Sequence, residues 1–283
     1  MIIGGYFQII LSVSFCSRVG LMIIDDFVKN GVLNQFYKKF GENVQFKTLS
    51  EKEDKVVYKF SSQKEDFILI IIPHITVTRF YKYMCSQGLQ QQLFVDGMDA
   101  AEVVDAYIAG DNVVSVHRCF KGRYDFKDYK EMLAVSGKIY GKLHRITMNA
   151  KYKKAFLLLE YPNIFVRGYM FVRYVLNRRA SQYFKYFGLR NMPWGICHRD
   201  NNGKNVLFDE KGNTVLLDFD KHRYMPLVEG LIYFYNKHLE DKSLFNVFLE
   251  AYETERPLDK IEKKYLTEVI SGLQSKGVAK QDC

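Results

Sequence analysis

Polar and apolar positions change period along this chain, and the change divides it. Residues 25–41 repeat apolar positions at helical spacing and predict an amphipathic helix. Three short runs follow at 43–49, 55–60 and 67–72, separated by the charged turns SEKED and SSQKED. That alternation predicts antiparallel hairpins, with Pro73 ending the third strand. Residues 76–92 return to helical spacing, and 94–108 and 112–120 predict more strand. Beyond Lys121-Gly122-Arg123 helices dominate, at 125–145, 166–187, 225–240, 244–253 and 259–273. Leu133, Ile139, Tyr140 and Leu143 mark the apolar face of the first of these. Between the second and third lie two short apolar runs, 206–208 and 215–217, around a Glu-Lys-Gly-Asn turn. They predict a β-hairpin.

The fold class expected from this order is α+β. A small antiparallel sheet with one helix precedes a larger helical part, and the change falls near residue 121. No repeat and no Pro/Gly/Ser linker interrupts the 283 residues, and 48% of them are apolar, as a globular chain requires.

Composition adds three limits. Five cysteines (16, 85, 119, 197, 283) are odd in number and lack Cys-x-x-Cys spacing. They predict neither a disulfide framework nor a zinc site, and they fit a reducing cytoplasm. Cys197 is expected to fill a small buried position. The net charge of +9 is concentrated: between Lys151 and Arg190 nine Lys or Arg stand against Glu160 alone. That segment could attract an anionic substrate, nucleic acid or a membrane surface, or be a solvated helix face, and no RNA-binding signature accompanies it. Residues 1–16 are uncharged, too short to span a membrane and without the basic start of a secretory signal. They are read with the rest of 1–24 as an extension of uncertain role ahead of a second methionine, Met22.

The chemistry concentrates in WGICHRDNNGKNVLFDEKGNTVLLDFDKHR, residues 194–223. Asp200 follows His198, Asn205 stands five residues later, and Asp218 ends the next apolar run. Phosphoryl transfer to a hydroxyl needs one carboxylate to orient and deprotonate the acceptor. It also needs an amide oxygen and a second carboxylate to hold Mg²⁺ on the phosphates. Asp200 fits the first role, Asn205 and Asp218 the second, and His198 is expected to fix the loop by hydrogen bonding. A carboxylate at the end of an apolar strand has little other use, since burying an unpaired charge is costly. His144 reads as a helix-end contact, His222 lacks a partner at metal-ligand spacing, and no Gly-x-Ser-x-Gly supports a hydrolase.

At these residues the chain resembles the aminoglycoside phosphotransferase and choline kinase-like superfamily, whose loop is His-Gly-Asp-x-x-x-x-Asn followed by a hairpin and Ile-Asp-Phe-Asp/Glu. CHRDNNGKNVLFD and LLDFDKH are the matching stretches. The Asp-Phe-Asp ending is most similar to bacterial spore-coat kinase-like proteins of the CotS type. CFKGRYDF (119–126) and GKIYGKLHRI (137–146) resemble the family's hinge and the helix after it. The resemblance implies a bilobal protein-kinase-like fold, with an N-lobe at 25–121 and a helical C-lobe at 122–283. It implies ATP and Mg²⁺ as cofactors, a small hydroxyl-bearing substrate, no nucleic acid, and a cytoplasmic or spore-coat location. The oligomeric state is not legible.

Departures from the family pattern leave two readings, an active phosphotransferase and a pseudokinase scaffold. The family's third-strand lysine, which binds the α- and β-phosphates, is missing from EDFILIIIPH, and the next helix lacks the partner glutamate. Lys59 on the second strand is the expected substitute, with Lys55 and Lys64 as alternatives. The SEKED turn is acidic where a phosphate loop is expected. Arg199 replaces the loop glycine, Asn202 stands where relatives carry a cation, and Glu229 lies where an aspartate braces the loop.

Overall fold

The computed structural model describes residues 36, 39–41, 44–62, 65–73, 77–109, 112–123, 126–149, 152, 189, 191–200 and 203–278. The chain divides into two compact units, residues 1–45 and 46–283. In the first, the Phe36 and Phe40 rings meet in a tilted contact with centroids 4.8 Å apart. Most of the helix expected at 25–41, all of that at 166–187, and the 1–24 extension lie outside the described residues.

The second unit opens with strands β1 (Phe46–Lys52), β2 (Lys55–Ser62) and β3 (Glu65–Ile72). Helix α1 (Val77–Val95) precedes β4 (Val103–Ala109) and β5 (Asn112–Arg118). The five strands form one sheet in the order β1-β2-β3-β5-β4, and every pair is antiparallel. Strand periodicity then sorts the side chains. Tyr58, Phe60, Phe67, Leu69 and Val116 share one face, where the Phe60 and Phe67 rings stack at 5.2 Å. Lys55, Val57, Lys59, Ile68, Ile70, Ser115 and His117 share the other.

Two expectations shift here. β1 runs three residues later than expected, so the acidic turn shrinks to Glu53-Asp54. The apolar run from 94 is not strand: α1 continues to Val95 and ends in a cap. Gly97 takes φ 82°, and the Met98 amide donates to the Leu93 carbonyl at 2.9 Å. A left-handed cap residue is what a Schellman-type ending needs, and glycine supplies it. Strand begins at Val103, whose amide donates to the Gln91 side chain at 2.8 Å.

Helix α2 (Tyr129–Thr147) starts at Asp128, whose carboxylate accepts from the Glu131 amide, while the Glu131 carboxylate accepts from the Lys127 amide. This reciprocal capping fixes the start four residues later than the periodicity suggests. The expected face, Leu133, Ile139, Tyr140 and Leu143, is buried. Next come β6 (Trp194–Cys197), β7 (Val206–Phe208), β8 (Thr214–Leu216) and β9 (Arg223–Pro226). Helices α3 (Leu227–Lys237), α4 (Phe245–Glu255) and α5 (Lys260–Val278) complete the unit. β9 was not anticipated; it pairs with β6 and shortens the helix expected at 225–240. The α+β class stands. Among the described residues no helix is long and apolar enough to cross a membrane.

α2 packs against α4 at close range. A Cβ on Gly137 would lie 2.2 Å from the Phe248 carbonyl oxygen, and one on Gly141 would lie 2.4 Å from that of Tyr252. Beside this seam runs a buried polar chain. Glu262 binds Arg256 through two oxygens at 2.7 and 2.9 Å, Arg256 donates to the Tyr252 hydroxyl at 2.8 Å, and that hydroxyl donates to His144 Nδ1 at 2.8 Å. His144 is thus a helix-packing contact, held neutral because burial, then the Arg256 charge, push its pKa well below the usual range.

Three buried histidines make stability sensitive to acid. Burial brings His117 and His198 down to about 4, and His144 falls well below its ordinary value. An unfolded histidine takes up a proton near pH 6.5, so between that value and about pH 4 the unfolded chain binds protons that the fold refuses. Stability must therefore fall as pH falls through this window, by on the order of 3 kcal/mol for each of His117 and His198. Urea midpoints measured near pH 7 and about pH 4.5 should show the loss, and His117→Gln should flatten it. Equal midpoints would mean that the folded chain carries these histidines charged.

Candidate active site

β6 and β9 hold the ends of the 194–226 segment together, with Cys197 opposite Arg223. Cys197 is buried beneath Gly230, and burial raises its thiol pKa to about 12; it packs rather than reacts. Between these strands the chain makes the expected hairpin, Val206 opposite Leu216. The Asp209 carboxylate ties the turn by accepting from the Lys211 and Asn213 amides.

His198 organises the site from below. Its Nε2–H donates to the Leu217 carbonyl at 2.8 Å, and its Nδ1 accepts from the Asp200 amide at 3.3 Å. These bonds set the tautomer, because a carbonyl can only accept. The ring is fully buried against Phe219, and burial lowers its pKa to about 4. A neutral ring with both nitrogens committed to backbone holds the loop and is not placed to shuttle a proton. The Leu217 amide in turn donates to the Asn205 carbonyl at 2.8 Å, so one residue ties together the segments bearing Asp200, Asn205 and Asp218.

The Asn205 side-chain N–H donates to the Asp200 carbonyl at 2.7 Å, and Asn205 lines the cleft. Asp218 takes a left-handed conformation, φ 60° and ψ 67°, at the end of β8. Arg199 is the other non-glycine residue with positive φ among those described. Asp and Asn tolerate this region better than most residues, and strained positions gather at functional sites. Arg199 lies over the Tyr233 ring at 4.4 Å. This cation–π contact ties the loop to α3. Glu229, on α3, is buried and accepts from the Tyr265 hydroxyl at 2.6 Å, tying α3 to α5.

The cleft itself has a volume of about 380 Å³. Its roof is the Lys55–Val57–Lys59 and Ile68–Ile70 face of the sheet, its floor Leu207, Leu217 and Asp218, and its rim Cys119, Phe120 and Gly122. Asp220 also lines it, accepting from Ser86 at 3.1 Å; burial, then the Asp218 charge, raise its pKa. Behind it, Gln90 donates to His117 Nδ1, His117 Nε2–H donates to Ser115, and Ser115 shares a hydrogen bond with the Tyr83 hydroxyl.

Two lysines meet the carboxylates. Lys221 binds Asp200 at 2.7 Å, and Lys55 reaches Asp218 at 3.9 Å. Lys59 ion-pairs with Asp66 at 2.9 Å. Lys64 and Asn202 lie outside the described residues. Lys221 was missed in the sequence because its partner lies 21 residues away across the hairpin. The one signal is its place directly after the Asp-Phe-Asp motif.

The donor set suits a hard cation. Asn205 and Asp218 line the cleft and carry oxygen donors, and Asp220 feels the like charge of Asp218, which a cation would relieve. No group of three or more His, Cys, Asp or Glu assembles among the described residues. Mg²⁺ does not need one, since one or two carboxylates with phosphate oxygens and water complete its shell.

The sequence profile of the phosphotransferase enzyme family matches residues 175–261. No curated protein matches the sequence. Among solved structures, spectinomycin phosphotransferase in complex with ADP and spectinomycin is similar, at 11% identity over 81% of this chain and 80% of that one, with a TM-score of 0.52. The fold is kinase-like. An aminoglycoside phosphotransferase from Alicyclobacillus acidocaldarius shares it, at 16% identity over 88% of this chain and 82% of that one, with a TM-score of 0.53. So does an ethanolamine kinase from Plasmodium vivax, at 12% identity over 84% and 73%, with a TM-score of 0.55. The profile match spans the loop, the hairpin, β9, α3 and α4, where the sequence signals are strongest.

Proposed function

We propose that this chain is an ATP- and Mg²⁺-dependent phosphotransferase that moves a γ-phosphoryl group to a hydroxyl of a small molecule. One observation carries the reading: the buried His198 ring joins the Asp200 amide to the Leu217 carbonyl. A candidate base and a candidate metal ligand are thereby held to one rigid centre. The sheet face and Cys119–Gly122 would take the nucleotide. Residues from 122 onward would take the acceptor, as in the bilobal division expected from the sequence.

In this mechanism Asp200 orients the acceptor hydroxyl and takes its proton as the oxygen attacks phosphorus. Asn205 and Asp218 would hold Mg²⁺, which when bound would supply charge neutralisation on the phosphate oxygens. Lys221, beside Asp200, would place a positive charge where the phosphoryl group passes. The acceptor remains a hydroxylated small molecule, and the basic 151–190 segment favours an anionic one. The Asp-Phe-Asp ending favours the spore-coat branch of the superfamily.

A second reading, a scaffold with weak or no catalysis, is favoured by the apolar third strand, which offers no ammonium to the cleft. Calorimetry separates nucleotide binders from the rest. Wild type should bind MgATP only with Mg²⁺ present, and Asp218→Ala should weaken binding at least about tenfold. No binding by a folded wild-type chain at millimolar ATP would leave the scaffold reading.

A further inference from the structure

We infer that Lys55, supplied by β2, is the lysine that contacts the nucleotide phosphates. This assignment rests on the nucleotide reading above and adds the residue that neither the motif nor its spacing identifies.

The sheet register shows why β2 can supply this group. Lys55, Val57 and Lys59 alternate onto the same face as Ile68 and Ile70 of β3. All five line the cleft, and β3 contributes only hydrocarbon. The two lysines that the sheet gives the cleft, Lys55 and Lys59, both stand on β2. Lys55 is the first residue of β2, directly after the Glu53-Asp54 turn, and its amine is the one found at Asp218. Lys59, two residues on, is held by Asp66, which also accepts from Ser61 at 2.6 Å.

The Lys55 contact is loose enough to be exchanged. At 3.9 Å it sits at the outer limit of an ion pair, and its side chain keeps 27% exposure. A flexible four-carbon stem lets the ammonium move from Asp218 to a phosphate oxygen arriving beside it. The opposite wall supports the same picture. Gln87 of α1 is 5% exposed and lines the cleft, and its side-chain oxygen has no hydrogen-bond partner. It stands on the helix that lacks a glutamate. A buried amide oxygen without a donor is costly and rare. Facing this cleft, it offers a neutral acceptor to the ammonium or to a nucleotide N–H without holding the lysine as a glutamate would.

The test measures MgATP binding by calorimetry on the full-length chain as wild type, K55M, K55R and K59M. K55M should weaken binding by about ten- to a hundredfold, with K55R in between and K59M within about threefold of wild type. A second readout uses wild type alone. An acyl-phosphate derivative of ATP acylates the lysine amine beside the phosphates, and peptide mapping should place the label on Lys55, removable by excess MgATP. Wild-type-like binding by K55M, or a label on Lys59 instead, overturns the assignment while leaving the nucleotide reading intact. Absence of wild-type binding overturns both. Because the label is read on wild type, a K55M variant that fails to fold cannot obscure the result.

Discussion

Asp200→Asn is expected to cut phosphoryl transfer by about 10²–10⁴-fold, the usual contribution of a positioned general base. MgATP affinity should stay within about threefold, because Asp200 does not line the nucleotide cleft. The substitution keeps size and leaves an amide oxygen able to accept from Lys221, so the loop should hold its shape. Rates are measured in single turnover with an acceptor found by screening, or as slow acceptor-independent ATP hydrolysis. A variant as fast as wild type would remove Asp200 from the reaction. A variant that no longer bound MgATP would make Asp200 a nucleotide ligand instead. Lys221→Met is the informative companion. It leaves a carboxylate without its ammonium at 2.7 Å, and a fall in turnover with MgATP affinity retained would place the lysine's charge at the transfer step.

The second large effect concerns folding. Gly141→Leu should destabilise the chain by at least about 3 kcal/mol, since even a Cβ would press on backbone rather than on a side chain that can turn away. The obstructing atom is the Tyr252 carbonyl oxygen, 2.4 Å from that Cβ, on the helix whose Tyr252 hydroxyl also serves His144 and Arg256. Relief requires moving α4, and with it the buried polar chain. Gly88, exposed on α1 with nothing near its Cβ position, supplies the opposite sign. Gly88→Ala should stabilise by roughly 0.5–1 kcal/mol through reduced freedom of the unfolded chain. Urea unfolding of both variants compares them directly. Equal and small changes would mean that α2 and α4 slide apart freely.

The loop and hairpin were legible because their signals are local. Val206–Phe208 and Thr214–Leu216 are short apolar runs around a turn of polar and glycine residues, and they fold as such. The α2 face was legible for the same reason, as a helical period over 19 residues. Misreadings arose where a cap or a distant partner decided the outcome. Residues 94–98 look strand-like, yet Gly97 makes them the end of α1. Residues 225 and 226 read as the start of a helix, yet β6, some thirty positions earlier, recruits them as strand. The lysines show the limit most clearly. Composition placed Lys55 and Lys59 on one strand with the same parity, and nothing in their spacing separates them. The Asp66 carboxylate, delivered by a hairpin, does. The buried Glu262–Arg256–Tyr252–His144 chain was invisible for a related reason: its members are ordinary surface-type residues until three helices converge.

The β7–β8 hairpin is sewn to the rest of the chain along both edges. Arg123 and Phe208 exchange two backbone hydrogen bonds, at 2.9 and 3.1 Å, where the chain leaves the five-stranded sheet. On the other edge the Leu216 amide donates to the Asp99 carbonyl at 2.7 Å, and the Asp99 carboxylate binds Lys142 on α2 at 2.8 Å. Roof and floor of the cleft are therefore not two jaws on one pivot; the floor is stapled to the two stretches of chain that lead into and out of the roof.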